Sequence, residues 1–310
     1  MRKVFVIDTS FIGHLTRFSS GVEYNGEQTG VIYSLFSHII NLAEAYKTNQ
    51  FCFAWDSHQS FRKILFPAYK SRRKEKKDAL SEEDKKIMAS MYRQLDLCRK
   101  KYIPMAGFEN SFFQTGCEGD DVIGVLTKTY AESDINFIIV AMDKDLYQLL
   151  SNKVSMLPIR DHRIGYPFTV SALKRKYNIT PEKWAMVKAI GGCLSDEVPG
   201  IGFDEDGAKI VGIGEKTAIK YLNNSLKETN KTYKRIVSPE GQKRLEQNLA
   251  LVEIPLKQTR PVKLKHDKIM LENLGKVFEE LKFSDMLHDR WDEWTRFVEG
   301  YEDEEADSED

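Results

Sequence analysis

Cysteine is scarce in this chain, and what there is of it is scattered. The four residues, Cys52, Cys98, Cys117 and Cys193, show no CxxC pair and no zinc-type spacing to histidine. That excludes a disulfide-stapled fold and a thiolate zinc module, and it fits a reducing compartment. The six histidines, His14, His58, His162 and His266 among them, fall in no ligand spacing either. Long apolar runs are missing too: nothing approaches the roughly eighteen consecutive apolar residues of a membrane-spanning helix. Met1-Arg2-Lys3 leads directly into an apolar strand-like run rather than a signal sequence. The expectation is a soluble intracellular protein without a membrane partner. No internal repeat is present, and the one low-complexity stretch is 302–310. A net charge of −1 leaves no excess of either sign, yet the charges are segregated. Residues 62–101 hold fourteen Lys or Arg against six Asp or Glu, whereas 299–310 hold eight acids and no base. Opposed blocks of this kind suggest a polyanion-binding face and an acidic tail.

What the chain does have is a recurring pattern of acids at the ends of apolar runs. Val4-Phe5-Val6-Ile7 ends on Asp8, Phe51-Cys52-Phe53-Ala54-Trp55 ends on Asp56, and Phe137-Ile138-Ile139-Val140 leads to Asp143 and Asp145. Gly116-Cys117-Glu118-Gly119-Asp120-Asp121 sets three carboxylates within four residues, ahead of an apolar, helix-compatible run. The runs read as strands. Residues 31–46 read as an amphipathic helix with Ile32, Leu35, Phe36, Ile39 and Leu42 on one face, and 120–130 as another helix. This alternation predicts a doubly wound α/β core with a parallel sheet, and 310 residues are ample to fill it. Open α/β sheets place their sites at the C-terminal strand edge, where these acids fall. So much like charge is costly in a fold unless a cation neutralises it. An all-oxygen set suits magnesium or manganese and argues against zinc. A pair of such ions hydrolyses phosphodiesters.

Two further stretches point to phosphate. Arg62, Lys70, Arg72 and Arg73 are suited to hold phosphates, with Tyr69 offering a ring for an unpaired base. Gly212-Ile213-Gly214-Glu215-Lys216-Thr217-Ala218 is a glycine turn opening a helix, which aims bare N–H groups outward. Gly212, Gly214, Lys216 and Thr217 are therefore read as contacts to a nucleic-acid backbone, made without regard to sequence. Ser81 caps a helix expected to run to Lys101 and stop before Pro104, and Thr180-Pro181-Glu182 starts another. Residues 108–114 are read as a short strand or loop and 146–150 as a short helix. A cluster of glycines after Ile190 sets an expected boundary there, with core 1–190, a smaller helical domain 191–298, which the resemblance given below implies to be DNA-binding, and a disordered acidic tail 299–310.

Taken together, the motifs resemble the flap endonuclease or 5′-nuclease family, which includes phage 5′-exonucleases and the 5′-nuclease domain of bacterial DNA polymerase I. The resemblance covers about residues 3–225. It runs through Ile7-Asp8, Trp55-Asp56, Phe61-Arg62, Tyr69-Lys70, Arg73 and Glu118-Gly119-Asp120-Asp121. It continues with Asp143-Lys144-Asp145-Leu146-Tyr147-Gln148-Leu149, Ile179-Thr180-Pro181-Glu182-Lys183-Trp184, Ser195-Asp196-Glu197-Val198-Pro199-Gly200 and the glycine turn. It implies a PIN-like core, a helical arch at about 66–101, and a helix-turn-helix variant (H3TH) in the C-terminal helical part. The implied activity is that of a structure-specific 5′-nuclease, cutting 5′ ends, flaps or RNA primers in DNA replication. The implied setting is the cytoplasm of a bacterial or phage-infected cell, as a monomer with a polymerase or single-strand-binding partner.

The resemblance also implies two magnesium sites, one from Asp8, Asp56, Glu118, Asp120 and Asp121, the other from Asp143, Asp145 and Asp196. Lys70 and Arg73 match bases that position and polarise the scissile phosphate. They are grouped as catalytic with Asp8, Asp56, Glu118, Asp120 and Asp143. The turn at Gly212 to Gly214 is implied to hold a potassium ion through its carbonyls. Two departures stand out. Cys193 occupies the place of an expected second-site aspartate, and 203–211 looks like an inserted, exposed loop. Cys193 keeps a catalytically weak DNA-junction binder open as an alternative. A PIN-type ribonuclease is another, although such domains usually lack the arch and glycine turn.

Overall fold

The computed structural model describes residues 1–19, 22–24, 26–160, 163–204 and 208–301. Its centre is a five-stranded sheet of β1 (Arg2–Asp8), β2 (Phe51–Trp55), β3 (Ser111–Phe113), β4 (Ile135–Val140) and β5 (Val154–Leu157), in the order β3-β2-β1-β4-β5. All four pairings are parallel. The register sets Asp8 opposite Ala54 and Ile7 opposite Val140. Asp8, Asp56 and Asp143 therefore leave the same sheet edge, at the point beside β1 where the chain order reverses. That is where the alternating pattern in the sequence placed them. The fifth strand, β5, was not read from the sequence.

The helices follow from local signals. Asp8 caps α1 (Thr9–Thr16), its carboxylate accepting from the Phe11 amide at 3.1 Å. The helix α2 (Gly30–Tyr46) lacks a side-chain cap of its own. Its exposed amides are met instead by Gln94 Oε1, 2.9 Å from the nitrogen of Val31 and 3.4 Å from that of Ile32. Gln94 sits on α5 (Glu82–Leu97), which follows the short helices α3 (Phe61–Leu65) and α4 (Arg72–Asp78). Ser81 caps α5 as expected, its hydroxyl accepting from the Asp84 amide at 3.0 Å. The expected stop before Pro104 does not occur. The helix widens through Cys98–Tyr102 and passes on to Ile103–Met105, with the Ile103 amide reaching back five residues to Cys98. A wider turn removes the clash between a proline ring and the preceding turn. From Met91 onward α5 is built into the core, so the segment expected as an arch over 66–101 is anchored along its last third.

The strand period divides the sheet into two faces. Val4, Val6, Cys52, Ala54, Phe137 and Ile139 pack on one side with α6 (Gly119–Thr129). Phe5, Ile7, Phe51, Phe53, Ile138 and Val140 pack on the other with α2. After α7 (Val170–Tyr177) and α8 (Trp184–Gly191) come α9 (Glu215–Leu222), α10 (Lys231–Val237) and α11 (Pro239–Val252), all feeding the first core. The later α12 (Leu271–Leu281) and α13 (Trp291–Glu299) cross to the second, where Phe278 and Trp294 meet Phe36 edge-on. Residues 191–298, expected as one helical domain, therefore share both cores with the sheet. The connecting stretch covers the β3 edge. Gln114 exchanges two bonds with the backbone of Arg260, and Asn110 exchanges two with that of Lys265.

The acidic tail starts later than expected, because α13 runs through Glu299 and the Tyr301 hydroxyl bonds Glu44 at 3.2 Å. The remainder of that tail (302–310), the acids Glu205 and Asp206 of the inserted segment, and His162 lie outside the described residues. Among the described residues no helix is long and apolar enough to cross a membrane.

Candidate functional site

A cleft opens at the C-terminal edge of the sheet. It is lined by Tyr69, Lys70, Glu118, Asp120, Asp143, Asp145 and Asp196 among others. Its acids fall into two sets. The first is Asp8 at the end of β1, Asp56 after β2, Asp120 in the first turn of α6, and Asp143 after β4. Asp56 Oδ1 accepts from the Gly119 amide at 2.6 Å, and Asp143 accepts from the Asp145 amide at 2.8 Å. No member of this set is ion-paired among the described residues. Their charges meet one another instead. Burial, then the charge of Asp56, pushes the Asp8 carboxyl from its usual 3.8 up to about 7. Burial, then Asp143, Asp8 and Asp56, raise Asp120 well above the carboxylate range. Four oxygen-donor side chains that repel one another and form no ion pair among the described residues, with Lys70 pulling on Asp120 only from a distance, fit a hard divalent ion.

This repulsion gives a pH signature for the metal-free protein. Native Asp8 holds its proton more tightly than the unfolded chain does, so raising the pH favours unfolding. The contribution is present below about pH 4 and is lost as pH rises toward about 7. Urea unfolding of the wild type and Asp8→Asn in chelator should show the wild type losing stability relative to the variant across that window. A flat difference would mean that the Asp8 carboxyl is not raised by its burial and by Asp56 as the structure places them.

The second set is Asp145, Cys193 and Asp196. One ligand atom from each lies within 4.8 Å of the others. Asp145 meets Lys188 Nζ at 2.7 Å, and Asp196 meets Arg73 at 2.7 Å. Burial, then Asp143, still raises Asp145 against the pull of Lys188. Lys188 was missed in the sequence. The available signal was its place as the one charge on the otherwise apolar helix α8, Trp-Ala-Met-Val-Lys-Ala-Ile-Gly.

Lys70 bridges Glu118 and the second set. Its ammonium is 2.7 Å from Glu118 and 4.0 Å from Asp196, and its amide donates to the Asp196 carbonyl at 3.0 Å. These contacts hold Lys70 at a φ of 54°, a left-handed conformation that costs a non-glycine residue about 1–2 kcal/mol. Burial raises the Glu118 carboxyl, but Lys70 and Arg62 outweigh it and hold the group below its usual range. Glu118 also accepts from the Tyr69 hydroxyl at 3.1 Å and the Ser60 hydroxyl at 3.2 Å.

Three sequence expectations do not fit these positions. Asp121 was read as touching the metal directly or from behind another ligand; it is wholly buried, which leaves only the position behind Glu118, whose amide it accepts from. Its two oxygens take Arg62 NH1 at 2.6 Å and NH2 at 2.8 Å, with the amides of Glu118 and Leu256 completing the set. Arg62 was read as a phosphate contact, but it is buried and spends its other donors on the carbonyls of Leu251 and Glu253. Tyr69 was read as a stacking platform, but its ring is buried against the first core. Arg72, Gly212, Gly214 and Lys216 are exposed and Thr217 half-buried, as backbone contacts require. A side chain at Gly214 would meet nothing within 4 Å. Behind this turn the backbone is close-packed: a Cβ on Gly191 would lie 2.9 Å from the Glu215 nitrogen.

Comparison with known proteins agrees with this geometry. The model of the 5′-3′ exonuclease N-terminal resolvase-like domain matches residues 3–178. The thermostable DNA polymerase I of Thermus filiformis is 31% identical over 242 residues, 74% of this chain and 26% of the polymerase. The DNA polymerase I of Bacillus caldotenax is 29% identical over 305 residues, 92% of this chain and 32% of the polymerase. The chain thus spans about a fifth to a third of the polymerases it matches. A zinc-bound structure of T5 5′-exonuclease superposes with a TM-score of 0.64 at 21% identity, covering 90% of this chain and 98% of that one. The bacteriophage T5 flap endonuclease in a pseudo-enzyme-product complex with DNA and metal ions gives 0.64 at 21%, covering 91% and 100%. An acid-lined cleft at the switch point of a parallel sheet and a family match over more than half the chain lead to one conclusion: this protein belongs to the 5′-3′ exonuclease family, whose N-terminal resolvase-like domain it carries.

Proposed function

We propose that the chain is a structure-specific 5′-nuclease that uses magnesium, with manganese able to substitute, to cut DNA at 5′ ends, flaps or RNA primers. The observation that carries this reading is the first acid set: Asp120 and Asp143 line the cleft, their charges act on one another and on Asp8 and Asp56 beside it, and none of the four is ion-paired among the described residues. Those residues would hold the first ion, and Asp145 and Asp196 the second. Bound there, such ions lower the pKa of a water and stabilise the leaving oxygen.

The chain's own part is to position the phosphate. Lys70 and Arg73 present cationic groups between Glu118 and Asp196, where a scissile phosphate replaces carboxylates as their partner. The exposed Gly212-Ile213-Gly214 turn and Lys216, at the start of α9, take the duplex backbone and a potassium ion, with α8 and α9 as the H3TH pair. The implied partners are a polymerase or single-strand-binding protein, with the chain itself a monomer.

The test is a labelled 5′-flap duplex incubated with magnesium, with manganese and with chelator, beside Asp143→Ala. Metal-dependent cutting lost in the variant is expected. Binding without cutting under every metal condition would favour the DNA-junction binder that Cys193 suggests. Lys216→Ala should weaken duplex binding several-fold and flatten the log–log salt slope by about one, as expected when one phosphate contact stops releasing a counterion. An unchanged slope removes Lys216 from the footprint.

A further inference from the structure

A basic surface lies outside the segments discussed so far. Between α11 and α12 the chain follows the β3 edge from Lys257 to Lys268. It is tied there by the paired bonds of Gln114 with Arg260 and of Asn110 with Lys265, and by the Lys268 amide on the Gly107 carbonyl at 2.8 Å. It keeps pace with residues 107–114 nearly step for step, as a strand would, so neighbouring side chains face opposite ways. Val262 and Leu264 pack on the first core. Lys257, Arg260, Lys263, Lys265 and Lys268 are exposed. The one acid of the stretch, Asp267, turns inward and accepts from the Glu109 amide at 2.7 Å. Lys265 and Lys268 share Glu109. Lys257, Arg260 and Lys263 have no ion-pair partner among the described residues, and their charge faces solvent.

Position decides the partner. The strip starts beside the cleft, where the Cys117 thiol, one residue before Glu118, meets the Thr259 hydroxyl at 3.7 Å. It leaves on the β3 side. The glycine turn lies on the other side of the acids, because Glu215, which opens α9, takes Lys144 from the turn after β4 at 3.1 Å. In the order β3-β2-β1-β4-β5, Asp8 and Asp56 stand between these two surfaces. With a duplex on the glycine turn and its scissile phosphate at the acids, the cut strand leaves the cleft toward β3. In a 5′ flap that part of the strand is unpaired. A single line of cations suits one phosphate backbone. Phe113, the last residue of β3, is 38% exposed, and the Arg99 guanidinium lies 4.2 Å over its ring. Such a planar surface takes the face of an unpaired base, which a duplex does not offer. We propose that Lys257, Arg260 and Lys263, beside the Arg99–Phe113 stack, hold the single-stranded 5′ arm of the substrate without regard to its sequence. The inference rests on the nuclease reading of the cleft and adds the surface that takes the free arm.

The test is fluorescence anisotropy of the full chain in chelator, so that no strand is cut. Three labelled duplexes are compared: one with a single-stranded 5′ arm of about fifteen nucleotides, one without an arm, and one whose arm is paired to a complement. The wild type should bind the single-stranded arm about tenfold more tightly than the armless duplex. Combining Lys257→Gln, Arg260→Gln and Lys263→Gln should erase that preference. It should also flatten the log–log salt slope by about two, the share of three phosphate contacts on a single strand. Affinity for the armless duplex should stay unchanged, which also shows that the variant is folded. Combining Lys257→Arg, Arg260→Lys and Lys263→Arg, which keeps the charge, should keep the preference. A wild type without the preference, or a glutamine variant that retains it, would overturn the strip as an arm site. So would an equal loss on the armless duplex, or a paired arm held as tightly as the single-stranded one, either of which makes it a duplex surface. Metal-dependent flap cutting by a wild type without arm preference would sink the strip alone. An arm preference that the glutamine variant loses, in a wild type that cuts with no metal, would sink the nuclease reading and leave the strip.

Discussion

Asp120→Asn should cost flap cutting about a thousandfold while making the metal-free protein more stable. The two effects have one origin. Asp120 stands half-buried in the first turn of α6 and feels Asp143, Asp8 and Asp56. Asparagine keeps the shape and removes one of four charges that repel one another. The fold without metal then gains roughly 1–2 kcal/mol, within the range typical of relieved functional sites. The same charge is what a divalent ion is attracted to. Its loss raises the barrier by about 4 kcal/mol if three decades of rate disappear. Magnesium at a hundredfold excess over its dissociation constant should stabilise the wild type by about 2.7 kcal/mol and the variant by much less. Thermal unfolding with chelator and with magnesium checks the stability half, and single-turnover flap cleavage checks the rate. A variant less stable than wild type in chelator would make Asp120 a structural acceptor rather than a ligand.

Arg62→Ala should be the most damaging substitution to the fold, by about 3–5 kcal/mol, because it leaves the Asp121 carboxylate buried without its counter-charge. The pair is bidentate, and it joins α3 and α6 to the last turn of α11 and the segment after it through the carbonyls of Leu251 and Glu253 and the Leu256 amide. Removing both charges together avoids the orphaned group. Arg62→Met with Asp121→Leu should therefore be more stable than either single change. Urea midpoints of the four proteins close the cycle. If Arg62→Ala instead kept wild-type stability and lost DNA affinity, Arg62 would be the phosphate contact that its sequence neighbourhood suggested.

Arg62 marks the boundary of what one-dimensional reading supplies. Its neighbours Lys70, Arg72 and Arg73 carry the same charge within a dozen residues, and nothing local separates a buried arginine from an exposed one. Asp121 is equally ambiguous beside Asp120. One faces the cleft and the other faces inward, because successive residues of a helix point in different directions. The choice was fixed by Arg62, 59 residues away in the chain. Tyr69 failed for the same reason, its ring being claimed by the core instead of the solvent. Lys188 stood out as a lone charge on an apolar helix, but its partner could not be read because Asp145 lies on a different element.

The ends of β1, β2 and β4, the parallel sheet and the presence of acids at its edge were determined by the sequence itself; that Asp143, and not Glu118 or Asp121, stands with Asp8, Asp56 and Asp120 was not. Strand periodicity and terminal acids are local, and short parallel strands linked by helices leave few topologies open. Tertiary structure alone decided which charges neutralise one another, which helices cover which face, and that a thiol meets two carboxylates beside the first set. Those outcomes depend on contacts between distant segments. In a close-packed interior such contacts are set by the positions of whole elements and not by the residues adjoining them.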